Sequence, residues 1–147
     1  MSTFFSNKTI LVPFDFSDQA MSAVDEALSM ADDTTTIQVV NIVVPTHALV
    51  LEAGMPIDLG DDRVRLEAAQ EKLAERIAEK DKSIQTTALM GDPGHGIVDQ
   101  ANEIGADLIL MPSHGRTGFS RLLLGSVAER VMRYAECPVM ILRKPKG

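Results

Sequence analysis

The chain predicts an α/β fold, Rossmann-like in character: a single open five-stranded parallel sheet with helices on both faces. Three observations predict it. Strand and helix signals alternate from one end to the other. The strands are short and nearly continuous in apolar residues, as a sheet buried on both faces requires. A loop of small residues bearing glycine lies between the fourth strand and the last helix, where open sheets of this class hold anionic ligands. At 147 residues, with 45% hydrophobic and 24% charged side chains, the length suits one globular domain spanning residues 1–147.

The elements follow in order. Thr9-Ile10-Leu11-Val12 forms the first strand, ended by Pro13. Ser17 or Asp18 caps the first helix, whose Ala20, Ala23, Val24, Ala27, Leu28 and Ala31 share a face. The β-branched stretch 36–44 is the second strand, stopped by Pro45. Asp61 and Asp62 open a second helix with Leu66, Ala69, Leu73 and Ile77 inward, while Glu67, Glu71, Glu75 and Glu79 alternate with Arg63, Lys72, Arg76 and Lys80 on a solvated face. Residues 83–90 give the third strand, and Gly91-Asp92-Pro93-Gly94 turns into a third helix that stops at Gly105. In this reading Gly94-His95-Gly96 belongs to that turn. Residues 107–111, 126–135 and 137–142 supply the fourth strand, fourth helix and fifth strand, linked by right-handed crossovers. Residues 45–60 remain a long connection whose Ala48-Leu49-Val50-Leu51 needs cover, as a lid or as an interface.

Composition narrows the partners. A net charge of −7 argues against general nucleic-acid binding, which needs basic surface. The charge is unevenly spread: residues 1–114 hold 7 Lys/Arg against 19 Asp/Glu, whereas residues 115–147 hold 7 Lys/Arg against only Glu129 and Glu136. Arg116 and Arg121 fall inside the glycine loop, placed to offset a polyanion. The one cysteine, Cys137, excludes an internal disulfide and a cysteine zinc site, and is expected to be a small buried apolar residue. No apolar run approaches the ~20 residues of a membrane helix, and the first residues lack signal-peptide features. The expectation is a cytoplasmic protein with neither membrane nor nucleic acid as partner.

The crevice beyond the carboxyl ends of the strands is walled by Pro13-Phe14-Asp15 after the first strand and by the loop from Pro112 to Gly125 after the fourth. Here Met111-Pro112-Ser113-His114-Gly115 is followed, after nine residues, by Gly125-Ser126. Glycine at 115 serves a turn or a close phosphate contact. Ser126-Val127-Ala128-Glu129 also fits a capping box, in which Ser126 and Glu129 satisfy the helix start without a ligand. His114 has no partner identifiable in the sequence, so no catalytic residue is assigned.

These residues resemble the universal stress protein family. Its pattern is glycine, two residues, glycine, nine residues, then glycine followed by serine or threonine. The likeness extends through Ile10-Leu11-Val12-Pro13-Phe14-Asp15, Ala106-Asp107-Leu108-Ile109, Leu123-Leu124-Gly125-Ser126-Val127-Ala128-Glu129 and Cys137-Pro138-Val139. The resemblance implies strand order 3-2-1-4-5 and a homodimer paired through the last strand, here Val139, Met140, Ile141 and Leu142. It also implies a site for ATP, which many members bind and others do not. Pro13, Phe14 and Asp15 then line the adenosine side, and the backbone of Ile42 meets the adenine. Met111, Pro112 and Gly115 approach the ribose and first phosphates; Gly125, Ser126 and Val127 hold the outer ones. Asp15 caps the next turn, or contacts ribose hydroxyls or Mg2+. One departure stands out: the first glycine of the pattern is Pro112, which has no N–H to donate. Phe14 is a second, because a phenyl ring stands where ATP-binding relatives often carry a small polar residue.

Three functions follow as expectations. The first is a dimeric stress-response regulator that senses an adenine nucleotide for an unknown regulatory protein partner, with slow ATP hydrolysis at most. The second is a non-nucleotide interaction module with a disabled pocket, favoured by Pro112 and Phe14. The third, a nucleotide-using transferase, lacks a Walker lysine loop and a second catalytic element.

Overall fold

The computed structural model describes residues 3–56, 59–114 and 124–143. Five parallel strands, β1 (Thr9–Pro13), β2 (Thr36–Val43), β3 (Gln85–Met90), β4 (Leu108–Pro112) and β5 (Val139–Leu142), form one sheet in the order β3-β2-β1-β4-β5. The helices α1 (Asp18–Met30) and α3 (Asp62–Ala78) cover one face, α4 (Pro93–Ile104) and α5 (Ser126–Tyr134) the other.

Strand alternation sorts the side chains between two cores. Ile10, Val12, Ile37, Val39, Leu108 and Leu110 meet Ala20, Ala23, Val24 and Ala27 of α1 and Leu73 and Ile77 of α3. Leu11, Val40, Ile109 and Met111 meet Ile97 and Ala101 of α4 and Ala128 and Val131 of α5. The expected apolar faces are therefore the buried ones, although in α3 only Leu73 and Ile77 are fully enclosed.

Local chemistry opens these helices. Ser17 accepts the Ala20 N–H, Asp61 that of Arg63 and Asp92 that of His95, each satisfying a donor that a helix start leaves without a partner. Gly105 closes α4 in the left-handed conformation that glycine adopts without strain. The Gly94-His95-Gly96 run is the first turn of α4, where Pro93 fits as well.

The connection expected over residues 45–60 contains a further helix, α2 (Thr46–Ala53), ended by Gly54 at φ 70°. It escapes the apolar pattern because none of its residues is fully buried and Leu51 is 81% exposed. A polar clasp from α3 holds its start instead. The Asp62 carboxylate accepts the Thr46 N–H at 3.1 Å and its hydroxyl at 2.6 Å. Arg65 Nη1 donates to Asp62, to Thr46 Oγ1 and to the Val44 carbonyl.

The hydrogen bond from the Thr46 hydroxyl, aided by Arg65, holds the Asp62 carboxyl below the usual carboxylate range. A depressed folded-state pKa contributes stability that is complete above the unfolded value, about 3.9, and is lost as pH falls through the folded one. The Thr46 amide is therefore expected to stay protected from hydrogen exchange at pH 4 and to lose protection only on further acidification. Asp62→Asn should expose it at every pH; protection unchanged in that variant would show that the clasp does not hold α2.

Candidate functional site

Hydrogen bonding along the strands sets the crevice. The Phe14 N–H donates to the Val40 carbonyl at 2.8 Å, and the Ser113 N–H to the Leu142 carbonyl at 2.9 Å. Successive residues of a parallel strand turn their polar groups to opposite neighbours. Pro13 consequently turns toward β4 and Pro112 toward β1, and neither has an N–H. The register between β1 and β4 covers only Ile10↔Leu108 and Leu11↔Ile109, against five pairs between β1 and β2. The hydrogen-bonded register of the two central strands ends where the prolines stand, which is where the winding of the sheet reverses.

On the β1 side two polar side chains hold the backbone of the loop. Asn41 Nδ2 donates to the Phe14 carbonyl at 2.9 Å, and Asp15 Oδ1 accepts the Ser17 N–H at 3.0 Å. The Phe14 ring is buried in the α1–α3 core, edge-on to Phe16 at 5.2 Å. Ring and N–H are thus committed to the fold. Phe16 has φ 68°, a left-handed conformation uncommon for a bulky residue. Lys72 lies 4.3 Å above its ring.

On the β4 side Met111 is buried in the α4–α5 core. Ser113 and His114 are buried as well, with Ser113 Oγ 3.1 Å from His114 Nδ1. No partner for His114 is identifiable from the sequence; its neighbour in the chain is one, folded inward under the start of α5. The Gly125 N–H donates to the Ser113 carbonyl at 2.8 Å. That contact is so close that a Cβ on Gly125 would lie 2.9 Å from the same oxygen. Glycine is required here by approach of backbone to backbone.

The capping box expected at Ser126 does not form. Gly125 is the N-cap, Ser126 is the exposed first helical residue, and no side chain among the described residues caps α5. The first intrahelical bond runs from the Glu129 N–H to the Gly125 carbonyl. The N–H groups of Ser126, Val127 and Ala128 therefore have no partner within the helix. Every other helix has a side-chain acceptor at its start: Ser17, Asp61 and Asp92 for α1, α3 and α4, and Asp62 for α2.

Helix α5 is also fixed laterally. Arg130 reaches Asp92 at 3.0 Å, crossing Gly94, where a Cβ would meet its stem at 2.5 Å. The His95 N–H, and then Arg130, lower the Asp92 carboxyl from its ordinary value. Ile42 packs its side chain on Gly96 and the α4–α5 core, one strand beyond Pro13. Thus Pro13, Asp15, Met111, Pro112, Gly125, Ser126 and Val127 lie at or just beyond the carboxyl ends of β1 and β4 and at the start of α5. Gly115 and Arg116 lie outside the described residues. Sequence reasoning missed Asn41, Ser113 and Arg130; only Asn41 carried a signal, as an amide within an apolar strand. Among the described residues, no three His, Cys, Asp or Glu side chains group to hold a metal ion, and no helix is long and apolar enough to cross a membrane.

Gly125→Ala should cost about 1–3 kcal/mol in urea denaturation, because the Ser113 carbonyl must move. Stability equal to that of the parent would show that this contact does not anchor α5.

Comparison with known proteins bears on the whole chain. The family model described as the universal stress protein family matches residues 6–143. The chain is 35% identical over 142 residues to universal stress protein MJ0531 of Methanocaldococcus jannaschii, covering 95% of this chain and 84% of that one. It is 32% identical over 145 residues to universal stress protein YxiE of Bacillus subtilis, covering 91% and 97%. Among solved structures, a universal stress protein in complex with cAMP superposes with a TM-score of 0.59 at 26% identity, over 92% of this chain and 96% of that one. By its sequence from Ser6 to Arg143 and by its sheet, the chain belongs to the universal stress protein family.

Proposed function

We propose that this protein binds an adenine nucleotide, ATP being the expected one, in the crevice between β1 and β4, and works as a dimeric sensor in a stress response. The observation that carries the reading is the open start of α5. Among the described residues, no side chain accepts from the three N–H groups at this helix start, whose positive end stands beside the carboxyl ends of β1 and β4. The related structure with cAMP supports an adenine ligand.

The residues fit such a ligand in part. Ser126 and Val127 supply phosphate donors, and Asp15 is the carboxylate at the end of β1 that would face ribose hydroxyls or Mg2+. Bound Mg2+ would neutralise phosphate charge. Pro112 supplies nothing to an anion. Binding then acts through a difference in affinity between two conformations rather than through turnover.

Calorimetry with MgATP and with cAMP tests the site. Micromolar binding is expected. Ser126→Pro removes one donor at a position where proline suits a helix, and should weaken binding about ten- to a hundredfold with stability unchanged. Pro112→Gly should tighten it by about tenfold. No binding by the parent or by Pro112→Gly would reject the nucleotide reading and leave the interaction module.

The dimer is proposed through β5. Ile109 donates to the Pro138 carbonyl and Ser113 to that of Leu142, so the even-numbered residues of β5 face β4 and Val139 and Ile141 turn their polar groups outward. Met140 is exposed beside them. An apolar edge of this kind invites pairing. Ile141→Pro removes an outward N–H without breaking the ladder to β4, and should give folded monomers in sedimentation velocity. A persistent dimer would move the interface elsewhere, with residues 45–60 the next candidate.

A further inference from the structure

The other edge of the sheet is finished differently. The Gly91 N–H donates to the Val43 carbonyl at 2.9 Å, so the odd-numbered residues of β3 face β2, and Thr86, Ala88 and Met90 turn their polar groups away from the sheet. The Ala88 N–H nevertheless donates to Gln70 Oε1 at 2.7 Å. Gln70 Nε2 in turn lies 3.4 Å from the Thr86 carbonyl and 3.4 Å from its hydroxyl.

A residue on a neighbouring parallel strand does the same two things: it donates to one carbonyl and accepts from the N–H two residues further on. One side-chain amide thus occupies the place of a sixth strand. Burial of Leu73 and Ile77 seats α3 so that Gln70, one turn earlier, reaches this edge. Among the described residues, no side chain does the equivalent at Val139 or Ile141 of β5.

We infer that Gln70 is an edge stop, which closes β3 to strand addition by a second copy of this chain and confines self-association to the other edge. An assembly joined through β5 by a two-fold axis presents two β3 edges at its far ends. Opening both would turn a closed pair into an open-ended sheet. That last outcome rests on the proposed pairing through β5; the closure of β3 does not.

Sedimentation velocity over a concentration series tests the inference on the full chain, with circular dichroism to verify folding. Gln70→Ala should grow with concentration to species larger than the parent. Gln70→Glu should keep the parent's size, because its carboxylate still accepts the Ala88 N–H and adds an edge charge. The double variant Gln70→Ala/Ile141→Pro should stop at dimers joined through β3. A monomeric parent whose Gln70→Ala variant dimerises would sustain the edge stop while rejecting β5 pairing. A folded Gln70→Ala of unchanged size, or growth of the double variant beyond dimers, would overturn the inference. Hydrogen exchange on the parent gives a second reading that needs no variant. The Ala88 amide should exchange more slowly than the outward amides of Thr86 and Met90, and equal rates would also overturn it.

Discussion

Because Phe14 bonds to Val40 and Ser113 to Leu142, the sheet directs Pro13 and Pro112 into the seam between its two central strands. Elsewhere the backbone ladders hold β2 to β1 and β5 to β4 along most of their length. At this seam a ladder can form only where N–H groups exist, and it ends at Leu11↔Ile109. The short register is therefore a consequence of two missing donors. Everything assigned to the site, from the Asp15 loop to the start of α5, is arranged around that point.

Pro112 thereby has two effects. As part of the seam it ends the ladder between β1 and β4. As a replacement for the first glycine of the family pattern it removes a backbone donor from the end of β4. The start of α5 is positioned by backbone at Ser113 and by the Arg130–Asp92 pair.

Much of this was legible in the sequence, and the gaps have physical reasons. The strands are apolar runs, and the caps Ser17, Asp61 and Gly105 act on residues within one turn, so they can be read locally. Helix α2 could not be read so: its apolar residues face no core, and the carboxylate that receives its first N–H belongs to Asp62, sixteen residues onward. The helix start at Ser126 was legible, but the alternative of a capping box there fails because Gly125, held on Ser113, is the N-cap and Ser126 already lies inside α5. Gln70 looks like any polar residue on a charged helix face. Its meaning appears only when β3 is beside it.

The bond between the Gly125 N–H and the Ser113 carbonyl joins two points twelve residues apart without using a single side chain. Closing a chain segment costs entropy that grows only slowly with its length, and here the frame meets that cost at the segment's two ends. Strand end and helix start therefore form one mechanical unit, and a change that shifts the end of β4 carries the start of α5 with it.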